Sequence, residues 1–369
     1  MVSSDFATNF LKLAKSDKNI VSFIFLLRQK RFMWRLKMDS GNIGFVLLCA
    51  AFVFVMTPGL AMFYGGLVRK KNVVNTMMTS IFIIGVGIVM WVLFGYSLSF
   101  APSGNAFIGD FRWLGLEGVS LTEGYTDDAS IPNMVFSAFQ MMFAVITPAL
   151  ITGAVAGRMK FKSIFVFTIF WSLIVYYPLA HMVWGQGGLL GADGIGALDF
   201  AGGDVVHISS GVSALVLCIL LGKRHDYEHS IYRIHNIPTV VLGASLLMFG
   251  WFGFNAGSAL AADGLAAHAF MTTGVSAAAA MLSWMLCDVI KNKKPTLIGA
   301  STGMVAGLVG ITPGAGFVPM WAAVIIGLTT SPVCYIMISY GKKKFGFDDA
   351  LDAFSCHGTG GIWGGLLTG

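Results

Sequence analysis

Ten long apolar segments constrain this chain more than any other feature of its sequence. An apolar helix of about 20 residues crosses the hydrocarbon core of a bilayer. Hydrophobic residues make up 56% of the chain and charged residues only 11%, where a soluble domain carries about 25% charged residues. We therefore predict an all-α membrane protein and exclude one with a large soluble core. The segments are roughly 43–66, 73–100, 131–155, 163–185, 199–222, 237–256, 267–290, 296–313, 317–340 and 353–369.

The charges between these segments predict how the chain is inserted. Lys and Arg cluster in every second loop, beginning with the loop after the first segment, whereas the alternate loops are acidic or neutral. Short loops rich in Lys and Arg remain on the cytoplasmic side of a membrane. We therefore predict a multi-pass protein of the cell (inner or plasma) membrane, in which the start of the first helix lies outside.

Residues 1–37 do not fit this pattern. They carry eight basic and two acidic residues, which accounts for the net charge of +6 of the whole chain. A basic segment ahead of a helix that starts outside contradicts the rule for loop charges. We expect 1–37 to be an N-terminal extension, disordered or not native, and 38–369 to form the membrane domain. Because the excess charge is confined to the extension, we expect no nucleic-acid partner.

Two histidines stand in matching sequence contexts. Asp199 precedes His207 by eight residues, and Asp349 precedes His357 by eight. A histidine inside a bilayer is costly and by default indicates a functional site. The matching contexts therefore predict one site that contains both histidines.

The same histidines divide the membrane segments into two groups of five. Repeat one covers about 43–222 and repeat two about 237–369, and each ends with a histidine segment. Halves with an odd number of segments insert in opposite orientations, which is the inverted-repeat plan of many transporters. Small residues flank both histidines at helical spacing and permit close contact. We therefore predict that the imidazoles meet between the two halves.

Several roles remain open for the histidine pair. Each histidine could serve only as an interhelical hydrogen bond, or the two could line a path for a small polar molecule and relay a proton along it. A membrane metalloenzyme is a further alternative, but two histidines without an HExxH-type cluster argue against it. The five cysteines show no CxxC spacing. We expect no metal, no other cofactor and no enzymatic activity.

The residues around His207 resemble the signature of a known family. Asp199-Phe-Ala-Gly-Gly-x-Val-Val-His207, continuing to Gly222-Lys-Arg224, is similar to the signature of ammonium transporters, the Amt/Mep/Rh superfamily, and the prokaryotic-type Amt branch fits best. The resemblance covers about residues 41–369. Its other motifs are Thr57–Gly66, Ala180–Trp184, Gly250–Ser258, Gly307–Pro313 and Asp348–Gly358.

The resemblance implies a fold of eleven helices, a homotrimer and one pore in each subunit. It also implies an eleventh helix and a cytoplasmic tail beyond residue 369, so we expect this sequence to be C-terminally truncated. The partners it implies are ammonium or ammonia, membrane lipid, and a PII-type regulator at the cytoplasmic loops. The expected function is nitrogen uptake by ammonium transport, with an ammonium sensor that signals to a cytoplasmic partner as the alternative.

The resemblance also assigns roles to particular residues. The pore would recruit NH₄⁺ at an outer aromatic site, deprotonate it and conduct NH₃, since a bare cation in hydrocarbon is far more costly than a neutral polar molecule. The assigned residues are Phe139, Phe143, Trp184 and Ser258 for recruitment, Phe143 and Phe254 for the gate, and His207, His357 and Trp251 for the pore lining and proton relay.

Physical alternatives remain for the aromatic and acidic residues. By itself, Trp184 at the end of a segment is typical of the aromatic belt of membrane proteins. Asp199 could cap the helix that follows it or bind the cation directly, and we favour the cap. We expect Asp349 and Asp352 to be structural or to lie at the exit of the pore.

Overall fold

The computed structural model describes residues 38–102, 104–192, 194–225, 227 and 233–369. The predicted extension 1–37 lies outside these residues. Within them, all regular secondary structure is helical, which confirms the predicted all-α class.

Ten helices follow one another along the described chain, one in each predicted segment. Nine of those described are long and apolar enough to cross a membrane. At the tenth segment, a π-helical turn (Phe354–Gly358) leads into an α-helix (Thr359–Thr368), and we call the two together α10. The others are α1 (Ser40–Leu67), α2 (Lys70–Phe100), α3 (Asn133–Ile151), α4 (Phe161–Trp184), α5 (Gly203–Leu221), α6 (Ile237–Gly257), α7 (Gly264–Asn292), α8 (Leu297–Gly314) and α9 (Met320–Phe345).

Short polar side chains fix the points at which several helices begin. Asp39, Asp263 and Thr296 each accept a hydrogen bond from the backbone N–H three residues further on, at 2.7, 3.0 and 2.9 Å. Such an N-cap satisfies an amide that has no partner within the helix and is worth about 1 kcal/mol. The starts of α1, α7 and α8 are therefore encoded locally.

Glycines allow α1 and α6 to pack side by side along their lengths. A Cβ atom added to Gly243 would lie 2.3 Å from the backbone nitrogen of Phe63, and one added to Gly59 would lie 2.8 Å from Cβ of Leu246. Helices in lipid gain little by burying apolar side chains against each other, so close backbone approach is a main source of their association. The α1–α6 contact therefore depends on residues that have no side chain.

Candidate functional site

Two buried histidines meet between α5 and α10. Nδ1 of His207 lies 3.3 Å from Nδ1 of His357, and the two rings are nearly parallel with centroids 5.3 Å apart. A hydrogen bond between the two nitrogens needs one donor and one acceptor, which two neutral imidazoles can provide. Nε2 of His207 is buried without a hydrogen-bond partner among the described residues, so this nitrogen can bind a small guest molecule.

Both histidines lie in π-helical turns. Gly203–Ile208 forms the first turn of α5, and Phe354–Gly358 forms the first turn of α10. Turns of this kind are rare in proteins and often lie at functional sites, although α2, α4 and α9 contain one each as well. The two histidines therefore share a local backbone form as well as a spacing from the preceding aspartate. The inverted repeat of the complete halves stays a prediction.

Backbone contact between two glycines sets how closely α5 and α10 approach. A Cβ atom added to Gly211 would lie 2.1 Å from the backbone nitrogen of Gly358. One added to Gly361 would lie 3.2 Å from Cβ of His207. The faces of small residues that flank the histidines therefore pack against each other, and this packing holds the imidazoles within hydrogen-bonding distance.

A continuous series of aromatic rings leads from the end of α4 to His207. Trp184 lies edge-on to Phe143, with centroids 6.0 Å apart, and Phe143 packs on Phe254 at 4.2 Å with an interplanar angle of 35°. His207 then stacks on Trp251 at 5.2 Å and on Phe254 at 6.0 Å. Four of the aromatic residues that the sequence singled out therefore form one column that ends at the histidine pair.

The space beside the imidazoles is small and mostly apolar. A cavity of about 10 Å³ lies between His207, His357, Trp251 and Phe254, with aliphatic residues on its other sides. About 10–15 Å³ on this measure is the least that holds one water molecule. The site therefore suits a single small polar molecule that passes without its hydration shell.

A larger pocket, which we call the outer pocket, lies at the end of the aromatic column that is far from the histidines. Its volume is about 480 Å³, and Phe143, Trp184, Ser258 and Gln140 are part of its lining. The indole N–H of Trp184 donates to the carbonyl oxygen of Asp199 at 3.0 Å, which fixes the orientation of the ring. The Ser258 hydroxyl donates to the carbonyl oxygen of Phe254 at 2.9 Å, so its oxygen can still accept a hydrogen bond from a ligand.

Phe139 takes a different position from the other predicted recruitment residues. It packs against Phe143 at a centroid distance of 4.9 Å and is almost fully buried, at 1% exposure. A Cβ atom added to Gly257 would lie 2.7 Å from the Phe139 ring. Phe139 lies outside the lining of the outer pocket and forms a support behind Phe143.

Asp199 caps the first turn of α5. One of its carboxylate oxygens accepts from the backbone N–H groups of Gly202 and Gly203, and the other from those of Asp204 and Val205, at 2.6–3.1 Å. Burial raises the pKa of Asp199 to about 6, with a further contribution from the nearby charge of Asp204, while these hydrogen bonds oppose the rise. The predicted fifth segment began at Asp199, and the helix begins at Gly203 because these residues form the cap.

Asp349 occupies the corresponding position before α10. It accepts from the backbone N–H groups of Ala353 and Ser355 and from the Ser355 hydroxyl, at 2.9–3.1 Å. Burial raises the pKa of Asp349, the charge of Asp352 adds to the rise, and the charge of Lys342 opposes it. Asp352 forms an ion pair with Lys342 instead of capping the turn. The two predicted inner acids therefore make different contacts.

Sequence reasoning did not single out Thr312, which holds Trp251 in place. The Thr312 hydroxyl accepts from the indole N–H of Trp251 at 2.9 Å and donates to the carbonyl oxygen of Leu308 at 2.7 Å. Thr312 lies in the motif Gly307–Pro313, which is the only signal in the sequence that could have pointed to it.

Sequence reasoning also missed a buried ion network at the same end of the molecule as Asp349. Asp348 is 1% exposed. It pairs with Arg224 at 2.6 Å and lies 3.8 Å from Arg158. Arg158 belongs to a loop that we used only to predict orientation, and Arg224 and Asp348 belong to family motifs that do not show their pairing. The network joins three loops that are far apart in the sequence.

The described residues offer no cluster of three or more His, Cys, Asp or Glu side chains that could hold a metal ion. All five cysteines are free thiols. Cys356 is next to His357 in the sequence.

Comparison with known proteins agrees with this geometry. The sequence profile of the Ammonium Transporter Family matches residues 44–369. The chain is 53% identical over 332 residues to an ammonium transporter of Bacillus subtilis (90% of this chain, 80% of the relative), and 47% identical over 335 residues to one of Aquifex aeolicus (90% and 77%). The fold is similar to the crystal structure of Saccharomyces cerevisiae Mep2, with a TM-score of 0.83 and 39% identity over 91% of this chain and 77% of that one. It is also similar to a structure described as a sensor Amt protein, with a TM-score of 0.80 and 29% identity over 88% and 81%.

Proposed function

The chain belongs to the ammonium transporter family, and from this premise we propose how it carries its substrate. Ammonium enters the outer pocket, loses a proton near the Phe143–Phe254 pair, and passes as ammonia along His207 and His357. The observation that carries this proposal is the unbroken series of rings from Trp184 to His207. The rings begin at a pocket open to the surface and end at a cavity that suits one small molecule.

The physical reason for deprotonation lies in the change of surroundings along the path. In the outer pocket, the face of Trp184 attracts a cation by up to about 2 kcal/mol, and the Ser258 oxygen can accept one of its N–H groups. Beyond Phe143 and Phe254 the walls are apolar and nearly closed. A bare cation there would lose its hydration without compensation, whereas a neutral molecule loses only the hydrogen bonds of a polar group. Ammonia is therefore the species that this path favours.

The histidine pair supports two functions for the same residues. Their nitrogens give ammonia a donor and an acceptor in an otherwise apolar path. The 3.3 Å contact between the two Nδ1 atoms also allows a proton to pass from one ring to the other, so the pair can return the proton separately. We propose that His207 and His357 serve both purposes, with Trp251 holding His207 by stacking.

The acids around the path are proposed to act through the backbone and the local charge. Asp199 holds the turn that carries His207 and adds negative potential near the outer pocket. Asp349 holds the turn that carries His357, and Asp352 lies beside it at the inner end. In this assignment none of the three carboxylates touches the substrate.

The surroundings of the protein are part of the proposal. The start of α1 lies outside the inner or plasma membrane, and three copies of the chain form a trimer in lipid. Large apolar side chains are exposed on several helices, among them Leu48, Leu282 and Trp321. Their exposure supports a surface that is covered by lipid and by the other subunits. A PII-type regulator binds the cytoplasmic loops. Cross-linking in native membranes tests the trimer, and labelling of single cysteines placed in loops tests the orientation.

One experiment tests the transport proposal directly. The purified protein is reconstituted in proteoliposomes, and both the current and the ammonia flux are recorded after an ammonium pulse. Wild type is expected to give both signals. The double variant His207→Ala with His357→Ala is expected to lose the current. Absence of both signals in wild type would contradict transport, and an unchanged current in the double variant would contradict the proton relay.

A sensor is the second candidate function, because the fold also matches a structure described as a sensor Amt protein. A sensor would bind ammonium in the outer pocket without passing it on. Ammonium binding to the wild type, measured by calorimetry, together with absence of flux in proteoliposomes would favour the sensor over the transporter.

A further inference from the structure

Two segments that lie far apart in the sequence form much of the lining of the outer pocket. We call them the α3 segment (126–131), which precedes α3, and the α6 segment (258–262), which follows α6. Most residues of the first and residues 258–261 of the second belong to the lining. The α6 segment begins with Ser258, whose hydroxyl oxygen can accept a hydrogen bond from a ligand. The shape of the pocket therefore depends on how the two segments are held relative to each other.

The side chain of Asn42, in the first turn of α1, connects the two segments. Its amide nitrogen donates to the hydroxyl oxygen of Ser130 at 2.8 Å, and its amide oxygen accepts from the backbone N–H of Ala262 at 2.9 Å. A backbone N–H can only donate, so the orientation of the amide group is fixed. The backbone N–H of Asn42 in turn donates to the carboxylate of Asp39, the N-cap of α1, at 2.7 Å. One side chain at a fixed helix start thus bridges both segments.

The α6 segment has a backbone that needs such support. Leu260 has a left-handed φ of 58°, which is uncommon for residues other than glycine. Strained backbone of this kind persists only where the surrounding structure holds it. The N–H groups of Ser258 and Leu260 still donate to carbonyl oxygens of α6, whereas that of Ala262 donates to Asn42. Asn42 therefore holds the far end of the segment that carries Ser258.

We infer that Asn42 is a positioning residue for the capture of ammonium. It lies outside the lining of the outer pocket and acts by holding the α3 and α6 segments together before the cation enters. A binding site that is already ordered does not lose affinity to the cost of ordering it. This inference rests on the proposed capture of ammonium in the outer pocket. Loss of the bridge is therefore expected to weaken capture and to leave the later steps unchanged.

Currents from proteoliposomes over a range of ammonium concentrations test this role. Asn42→Leu removes both hydrogen bonds at similar side-chain size. It is expected to raise the half-saturating ammonium concentration roughly fivefold, the equivalent of one net hydrogen bond. The maximal current is expected to stay within about twofold of wild type, since only binding is weakened.

Asn42→Asp is the conservative variant. Its carboxylate can accept from Ala262, and the Ser130 hydroxyl can donate to it instead of accepting. The half-saturating concentration is therefore expected to stay within about twofold of wild type. A rise in Asn42→Asp as large as that in Asn42→Leu would contradict the bridge, and so would an unchanged value in Asn42→Leu.

Asn236→Leu is the matched control. Asn236 is exposed, and its side chain accepts from the backbone N–H of Thr239 at 3.0 Å. It caps the start of α6, at the opposite end of that helix from Ser258. Its loss is expected to lower stability without changing the half-saturating concentration. An equal rise in Asn42→Leu and Asn236→Leu would assign the effect to general destabilisation and overturn the inference.

Hydrogen–deuterium exchange of the detergent-solubilised full chain tests the bridge without transport. The amides of the α6 segment are expected to exchange faster in Asn42→Leu than in wild type, Asn42→Asp and Asn236→Leu. Equal exchange in Asn42→Leu and wild type would overturn the inference even where wild type gives a current. Absence of current and flux in wild type would contradict the proposed function, whereas faster exchange in Asn42→Leu alone would still support the bridge.

Discussion

The turns that carry His207 and His357 are built alike but are surrounded differently. The two carboxylate oxygens of Asp199 accept hydrogen bonds from four backbone N–H groups. Asp349 accepts from two backbone N–H groups and a hydroxyl, and Lys342 lies beside it. One arrangement of acid and turn thus holds both histidines, while a cation lies beside Asp349 only.

The two capping acids therefore have different neighbours. The carboxylate of Asp199 is met by backbone N–H groups alone, whereas the ion pair of Lys342 with Asp352 lies beside Asp349. The comparison predicts that the two acids differ in how much the protein depends on them.

The largest expected effect concerns the buried ion network of the inner half. Removing one partner of a buried pair leaves an uncompensated charge and costs about 3–5 kcal/mol. We expect Asp348→Ala to destabilise the protein by up to that amount, because the carboxylate that contacts both Arg224 and Arg158 is removed. Thermal unfolding in detergent measures it. Asp110→Ala is the control, since its pair with Arg112 is exposed and is worth less than about 1 kcal/mol. Similar losses in both variants would contradict the role of burial.

The second-largest effect is the loss of stability when either capping acid, Asp199 or Asp349, is removed. Asp199→Ala leaves four buried N–H groups without their acceptor, and Asp349→Ala leaves two. An unsatisfied buried group costs about 1–3 kcal/mol before water enters. We expect Asp199→Ala to lower the unfolding free energy by roughly 3 kcal/mol and Asp349→Ala by about 1 kcal/mol less. Thermal unfolding of both variants checks this. An equal or larger loss for Asp349→Ala would show that Lys342 and Asp352 depend on Asp349 more than the contacts indicate.

A smaller effect is expected on the half-saturating ammonium concentration when Trp184 or Phe139 is substituted. Trp184→Leu removes the ring face from the outer pocket and is expected to raise the half-saturating ammonium concentration by at most roughly thirtyfold, the equivalent of about 2 kcal/mol. Phe139→Leu changes a residue outside the pocket lining and is expected to change it less than about threefold. Currents from proteoliposomes over a range of ammonium concentrations measure both. A larger change for Phe139→Leu would assign recruitment to that ring.

The smallest effect is a change in thermal stability that appears only at acidic pH. Burial alone would raise the pKa of Asp348, but hydrogen bonds from Arg224 and the charges of Arg224 and Arg158 outweigh it and hold the pKa below its usual value. A carboxyl group with a depressed folded pKa stabilises the protein above its unfolded pKa, about 4, and loses that contribution as the pH falls through the folded value. We expect the melting temperature of wild type to fall more steeply below about pH 4 than that of Asp348→Asn. Parallel curves from thermal scans at graded pH would contradict this.

The sequence predicted what depends on composition and spacing. The ten segments, the contrast in loop charge and the matched spacing before His207 and His357 are local patterns, and the Asp199 cap follows from its place before a helix. The family itself followed from motifs long enough to be specific, and the comparisons confirm it.

Contacts between helices could not be predicted in the same way. The helices are apolar on most sides, so the sequence does not show which side of α3 meets α6, and Phe139 and Phe143 appear equivalent on α3. The pairing of Arg224 with Asp348 joins residues 124 positions apart, and the motifs that contain them do not show that they meet. The hydrogen bond from Trp251 to Thr312 likewise exists only once α6 and α8 are packed.

The contact of Gly211 with Gly358 has a mechanical consequence. Backbone meets backbone there without a flexible side chain between them, and closely packed interiors compress very little. The pocket at the far end of the aromatic column, in contrast, is open to the surface, so water can enter it and pressure has no closed void to remove there. The spacing of the two imidazoles is therefore expected to change very little under hydrostatic pressure.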